Sequence, residues 1–272
     1  MQPPSDTATL TDSVTDQSLD DGEYDNHGQA NTKMLPFEFA LAVVMHNIGD
    51  ELQTVQQAKS FPNWPQWEEA LKCELTQHES LGTWKLVEPS PHANVIGSCW
   101  VFHYKIDSTS KIVKYKGRLV TQCFSQAEGI NYNETFSPTA KLSAIRIIAA
   151  LATCNDWELK QTDIDGAYLN APLTETIYMH QPMGFEIPGK EGHICHLQLA
   201  IYGLKQASRE WYELFCKTLG NIGFSRCQVE HTVFYRHDKD DYVIMAVEID
   251  DLSIAGNTRL AIAKFKQQLY AK

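Results

Sequence analysis

Two aspartates, Asp250 and Asp251, stand side by side between the apolar runs 242–249 and 252–255. Two residues between strand-like runs is hairpin spacing, and Asp tolerates turn conformations, so the pair reads as the tip of a hydrophobic β-hairpin. Like charges repel there, and the flanking Val, Ile and Met give no ionic relief. A divalent cation would resolve the repulsion, whereas a solvated turn is the plainer reading of an isolated Asp-Asp pair. A third carboxylate, Asp163, lies in Gln161-Thr162-Asp163-Ile164-Asp165-Gly166-Ala167-Tyr168-Leu169-Asn170, where a strand pattern meets a glycine turn. It reads either as a cap on the strand end or as the third member of a ligand set. Three carboxylates would suffice for two ions about 3.5–4 Å apart, which activate an attacking hydroxyl and stabilise a leaving phosphate oxygen.

The elements that must position these residues follow from periodicity. A helix starts near Pro65, carries Trp67, Leu71 and Leu75 on one face and stops at Gly82. Strand alternation covers 84–87, 99–106 and 112–124. A second helix over 142–153 places Leu142, Ile145, Ala149 and Ala152 on one face. A strand over 159–169 carries Asp163. A third helix over 207–219 buries Trp211, Leu214, Phe215 and Leu219 and stops at Gly220.

At 272 residues the chain is long enough to bury a core without a metal or disulfide staple. With 43% hydrophobic and 21% charged residues, it is neither wholly disordered nor collagenous. The net charge of −11 argues against a nucleic-acid partner until its distribution is read. Residues 1–33 hold seven acids against Lys33 alone and almost nothing apolar, so they read as an acidic disordered linker holding about half the net charge. Lys105, Lys111, Lys114, Lys116 and Arg118 form a basic patch on the strands and hairpin that follow, with Asp107 the one acid among them. Seven cysteines without a CxxC pair read as free thiols in a reducing compartment. No run approaches membrane-span length and no signal sequence is visible, so no membrane partner and a cytoplasmic, intracellular location are expected.

Eight stretches occur in the order found in one family: Trp84-Lys85-Leu86-Val87; Ile96-Gly97 with Trp100-Val101-Phe102; Tyr115-Lys116-Gly117-Arg118-Leu119-Val120; Glu128-Gly129-Ile130-Asn131-Tyr132-Asn133-Glu134-Thr135-Phe136-Ser137-Pro138; the Asp163 strand; Ile177-Tyr178-Met179 with Gln181-Pro182 and Gly184-Phe185; Tyr202-Gly203-Leu204-Lys205-Gln206; and the Asp250-Asp251 hairpin. Each alone is weak. Together, from about Trp64 to Thr258, they resemble the reverse transcriptase (RNA-dependent DNA polymerase) of copia-type retrotransposon polyproteins.

The resemblance implies an α+β fold, with right-hand polymerase fingers and palm over 34–258. It implies an antiparallel palm sheet with helices on one side, and a truncated or absent thumb beginning at 259–272. The implied reaction joins a deoxynucleoside triphosphate to a primer 3′-hydroxyl on an RNA or DNA template, with two Mg2+ ions, or Mn2+, as cofactor. Asp163 and Asp250 match direct metal ligands and Asp251 a supporting one. Tyr168 matches the aromatic under the incoming sugar, Lys116 and Arg118 match positions that touch template or triphosphate, and Gln206 matches a nucleotide-pocket glutamine. Arg209 lies near that position or simply pairs with an acid.

Departures accompany the matches. Glu248 stands where the family has an aromatic, and period-2 reasoning puts it on the same strand face as Asp250. Cys123 replaces a common glycine, and His196 and Gln198 replace common lysines. These substitutions support a second reading, a non-catalytic retroelement remnant that keeps the fold and at most binds nucleic acid. A two-metal nuclease or phosphatase would use the same carboxylates but leaves Tyr168 and the Gly-Leu-Lys-Gln turn without a role.

Overall fold

The computed structural model describes residues 52, 54–91, 93–109 and 111–271, so the acidic linker expected over 1–33 lies outside the described residues. The first long helix, α2 (Trp64–Leu81), follows the short α1 (Val55–Lys59), has Pro65 in its first turn and is capped by Gly82. Its buried residues include Trp67 and Leu71, two members of the expected stripe.

Those two side chains seat a two-stranded antiparallel ribbon, β3 (Ser98–Ile106) and β4 (Ile112–Thr121). Trp67 meets Phe102 and Tyr115 edge-on, with centroids 5.2 and 4.7 Å away. Gly117 faces the same helix, and a Cβ there would come within 2.3 Å of Leu71 Cδ2. The absent side chain of Gly117 is what lets the ribbon lie down on α2. The Glu74 carboxylate of α2 then accepts the Leu119 N–H at 3.2 Å. Directly opposite residues of an antiparallel pair share a face. The register Val101↔Arg118, His103↔Lys116 and Lys105↔Lys114 therefore collects the ribbon's cations on the face turned away from α2.

Beside the ribbon, β1 (Trp84–Val87), β2 (Val95–Ile96), β6 (Tyr178–His180) and β7 (Ile194–Leu197) form a sheet of order β1-β7-β6-β2. The larger sheet contains β5 (Glu158–Asp163), β8 (Ser225–Arg226), β9 (Val233–Asp238), β10 (Asp241–Glu248) and β11 (Asp251–Gly256), in the order β5-β11-β10-β9-β8. All its pairings are antiparallel.

Helices cover both faces of the larger sheet, which corrects the expectation of helices on one side. Val243, Met245 and Val247 of β10 join Leu252 and Ile254 in a core with Phe215 and Leu219 of α4 (Ala207–Asn221) and Ala261, Ile262 and Phe265 of α5 (Arg259–Tyr270). Ala246 and Ala255, of opposite parity, pack with Ala144, Ile148 and Ala152 of α3 (Leu142–Cys154). The continuous apolar run 243–247, without polar alternation, is what two covered faces require. The buried face of α3 keeps Ala152 and, in part, Ile145 of the expected stripe, but Leu142 is exposed and Ala144 and Ile148 are buried in addition. Residues 259–270, read from the sequence as the start of a thumb-side region, form α5 in the main core.

Two strand ends are shorter than the periodicity suggests. β4 stops at Thr121 and gives way to a 3-10 turn, Cys123–Ser125. β5 stops at Asp163, and Tyr168 sits in a 3-10 turn, Ala167–Asn170. None of the described helices is long and apolar enough to cross a membrane.

Candidate functional site: an acidic sheet edge facing a basic ribbon

The last residue of β5, Asp163, is the register partner of Asp251, the first residue of β11. Asp251 is in turn the partner of Glu248, the last residue of β10. Three carboxylate residues thus stand in one row across adjacent strand ends, on one face of the sheet. The hairpin turn consists of Ile249 and Asp250, one residue earlier than the expected Asp250-Asp251 turn. The reason lies in the backbone: Ile249 takes φ 56°, a conformation that β-branched residues rarely adopt. The turn is held by tertiary bonds, Trp211 Nε1–H to the Ile249 carbonyl at 2.8 Å and Ile164 N–H to the Asp250 carbonyl at 2.8 Å. Because a turn intervenes, the period-2 expectation that Glu248 and Asp250 share a face does not apply; Glu248 shares its face with Asp251 instead.

An open cleft of about 480 Å³ lies between this edge and the ribbon. Asp163, Asp165, Asp250 and Asp251 line it from one side, and His103, Lys105, Lys116 and Arg118 from the other. Among the described residues, none of these aspartates, lysines or Arg118 makes an ion pair. Both walls therefore keep their charge for something that enters. No group of three or more His, Cys, Asp or Glu side chains among the described residues is gathered closely enough to hold a metal ion. The donors are nonetheless of the kind that suits a hard cation: carboxylate oxygens that no protein cation engages in an ion pair.

Tyr202 also lines the cleft, with the Arg118 guanidinium 5.1 Å from its ring centroid. Burial pushes its hydroxyl pKa up; Arg118 pulls it down, while Asp250 and Glu74 add to the rise. Tyr168 is 9% exposed and packs edge-on against Tyr202, centroids 4.9 Å apart, with its hydroxyl 2.9 Å from Ser208 Oγ. It stands one ring behind the cleft wall.

Gln206 is elsewhere. Its side chain is fully buried, accepts from Gln126 Nε2 at 3.0 Å and donates to the Asn131 carbonyl at 2.6 Å. It pins the 126–131 loop to the start of α4 and does not line the cleft. Arg209 pairs with Glu213 at 2.7 Å, Glu210 at 3.3 Å and Glu134 at 3.7 Å, also outside it. Of the departures, Cys123, His196 and Gln198 stand away from the lining residues, whereas Glu248 adjoins them through Asp251. The sequence reading overlooked His103 and Tyr202. The first was legible as the period-2 neighbour of Lys105, and the second as the aromatic immediately before the Gly203-Leu204 turn.

Residues 81–272 match the family described as reverse transcriptase (RNA-dependent DNA polymerase). The chain belongs to that family, in the form carried by Pol polyproteins of copia-type retrotransposons. It is 36% identical over 220 residues to the retrovirus-related Pol polyprotein from transposon TNT 1-94 of Nicotiana tabacum, covering 80% of this chain and 17% of that protein. It is 34% identical over 221 residues to the corresponding polyprotein from transposon RE1 of Arabidopsis thaliana, covering 81% and 15%. The transposon Ty1-GR3 Gag-Pol polyprotein of Saccharomyces cerevisiae is 28% identical over 222 residues, covering 75% and 12%. The chain thus spans about a sixth or less of these relatives' length. The family generally uses divalent metal ions, a nucleic-acid template and nucleotide substrates.

Proposed function

We propose that the chain is the fingers-and-palm part of a polymerase that extends a primer by template-directed phosphoryl transfer from deoxynucleoside triphosphates. The observation that carries this reading is the cleft itself, in which unpaired carboxylates at strand ends face unpaired cations on a ribbon. In this reading the ribbon is fingers and the five-stranded sheet is palm.

Lys116 and Arg118 bind the triphosphate through charge-assisted hydrogen bonds, the contacts that suit phosphate oxygens. Asp163 and Asp250 hold the two Mg2+ ions, with Mn2+ as the alternative, and Asp251 supports them. When bound, such ions lower the pKa of the primer hydroxyl and neutralise charge on the leaving pyrophosphate. The Ile249-Asp250 turn fixes where one carboxylate points, and the Asp163↔Asp251 pairing fixes the other two. Tyr168 stiffens the wall beside them, and Gln206 serves the site by holding the 126–131 loop. Catalysis by positioning and charge needs no covalent intermediate.

The test is addition of a single deoxynucleotide to an oligo(dT) primer on poly(rA) with Mg2+. Incorporation that Asp250→Asn abolishes supports the reading. Glu248 favours a second one, a remnant that binds nucleic acid without extending it, because a carboxylate in the aspartate row repels primer phosphates. Primer–template binding without incorporation supports that second reading, as does recovery of incorporation in Glu248→Tyr.

A further inference from the structure

Ile249 is the one β-branched residue with positive φ among the described residues, and it immediately precedes Asp250. A φ of 56° crowds a branched side chain, so the local sequence works against the backbone shape that presents Asp250. Two hydrogen bonds from outside the hairpin oppose that preference, and they take the two carbonyls that flank the Asp250 Cα. Trp211 Nε1–H donates to the Ile249 carbonyl and Ile164 N–H to the Asp250 carbonyl, each at 2.8 Å. With both planar peptide units fixed, the direction in which the Asp250 carboxylate leaves the chain is fixed as well. The two donors differ in kind. Ile164 offers a backbone group next to Asp163, whereas Trp211 offers a side chain that is 6% exposed and packed against Phe215, ring centroids 5.2 Å apart. Trp211 also lines a separate cleft of about 530 Å³ together with Asp163, Ile164 and Asp165, so the indole adjoins both arms of the acidic edge.

We propose that Trp211 is a positioning residue for divalent cations: its indole N–H holds Ile249 at positive φ, and so sets the Asp250 carboxylate against Asp163 and tunes the affinity of the edge for Mg2+ or Mn2+. The inference rests on the metal-binding part of the reading above. Trp211 touches neither the ions nor the nucleotide; it acts through the backbone of the turn. Groups that orient a metal ligand from behind in this way change metal affinity by about 10–100-fold when they are lost. A role in packing alone predicts something else: fewer folded molecules, with the affinity of the folded ones unchanged.

The experiment is Mn2+ binding to the 272-residue chain, followed by the electron paramagnetic resonance of the free ion, with the folded fraction measured by circular dichroism. Asp250→Asn identifies the binding that belongs to the acidic edge. Trp211→Phe is expected to weaken that binding by about tenfold. Replacing Trp211 with benzothienylalanine, which exchanges the indole N–H for sulfur and keeps the ring volume, repeats the loss, so a packing defect in the phenylalanine variant does not decide the matter. Adding Ile249→Asn to either variant restores the affinity, because asparagine takes up positive φ readily and no longer needs the bond. Wild-type affinity in the benzothienylalanine variant, or no recovery when Ile249→Asn is added to a folded variant, would overturn the inference while leaving metal binding intact. Absence of Asp250-dependent Mn2+ binding in the wild type removes the two-metal reading and this inference with it.

Discussion

The indole N–H of Trp211 donates to the carbonyl oxygen of Ile249 at 2.8 Å, so a side chain on α4 holds the turn from which Asp250 projects. Ile249 sits at φ 56°, and a β-branched residue in that region costs on the order of 1–3 kcal/mol. Trp211 is buried, and its bond to the Ile249 carbonyl helps to hold the turn in this shape. Trp211→Phe removes the donor and part of the packing, and is expected to destabilise the chain by about 1–3 kcal/mol. Urea unfolding measures this. A midpoint unchanged from wild type would show that the turn holds itself.

The row Asp163, Asp251 and Glu248 places like charges directly opposite one another on neighbouring strands. Such pairs destabilise a sheet by roughly 0.2–1 kcal/mol each. Glu248→Gln is therefore expected to raise stability in EDTA, and the difference from wild type should shrink in MgCl2. Melting curves in the two buffers test both statements. A variant no more stable than wild type in EDTA would mean that solvent screens the row completely.

Arg118 and Lys116 face the cleft without a carboxylate partner, so their charge is available to phosphate. Arg118→Ala should weaken binding of a primer–template duplex. Loss of one phosphate contact lowers the slope of log affinity against log salt by about 0.9. Titrations at several salt concentrations read this directly. A slope identical to wild type would assign Arg118 to bracing Tyr202 alone.

Helix α2 was legible because Pro65, the Trp67 and Leu71 stripe and Gly82 are local signals that packing reinforces. Helix α4 was legible for the same reason, with Trp211, Phe215 and Leu219 all buried. The register of the Asp250 hairpin was not, because counting residues between apolar runs cannot see the Trp211 and Ile164 bonds that force Ile249 into the turn. Burial on α3 was legible in part: Ala152 is buried and Ile145 packs beside it as expected, but Leu142 is exposed and the sheet contact is made by Ala144 and Ile148 instead. Gln206 shows a different limit: a polar residue in a motif looks the same in sequence whether it faces a cleft or, as here, a buried network with Gln126 and Asn131.

Glu210 offers a pH test away from the cleft. Burial pushes its carboxyl pKa above the usual value, Glu175 adds to the rise, and Arg209 opposes it. An acid whose pKa rises on folding contributes stability that is present below its unfolded pKa and is lost as pH rises through the folded one. The chain should therefore lose some stability through this group as pH rises above the ordinary glutamate range. Glu210→Gln should flatten that part of the profile and stabilise the chain at neutral pH, with Arg209 still paired to Glu213 and Glu134. Urea midpoints across pH measure it, and an unchanged profile in the variant would overturn the assignment.

The strand that delivers Asp163 is the outermost of its sheet, and β11 is its ladder partner. Its other backbone edge has no strand beside it among the described residues. Edge positions open by local fluctuation at lower free energy than strands paired on both sides. Amide hydrogens of β5 should accordingly exchange with deuterium sooner than those of β10, which is paired on both sides. Such an opening would carry Asp163 away from Asp251 while the rest of the sheet stays folded. The acidic edge would then come apart and re-form without unfolding of the molecule that carries it.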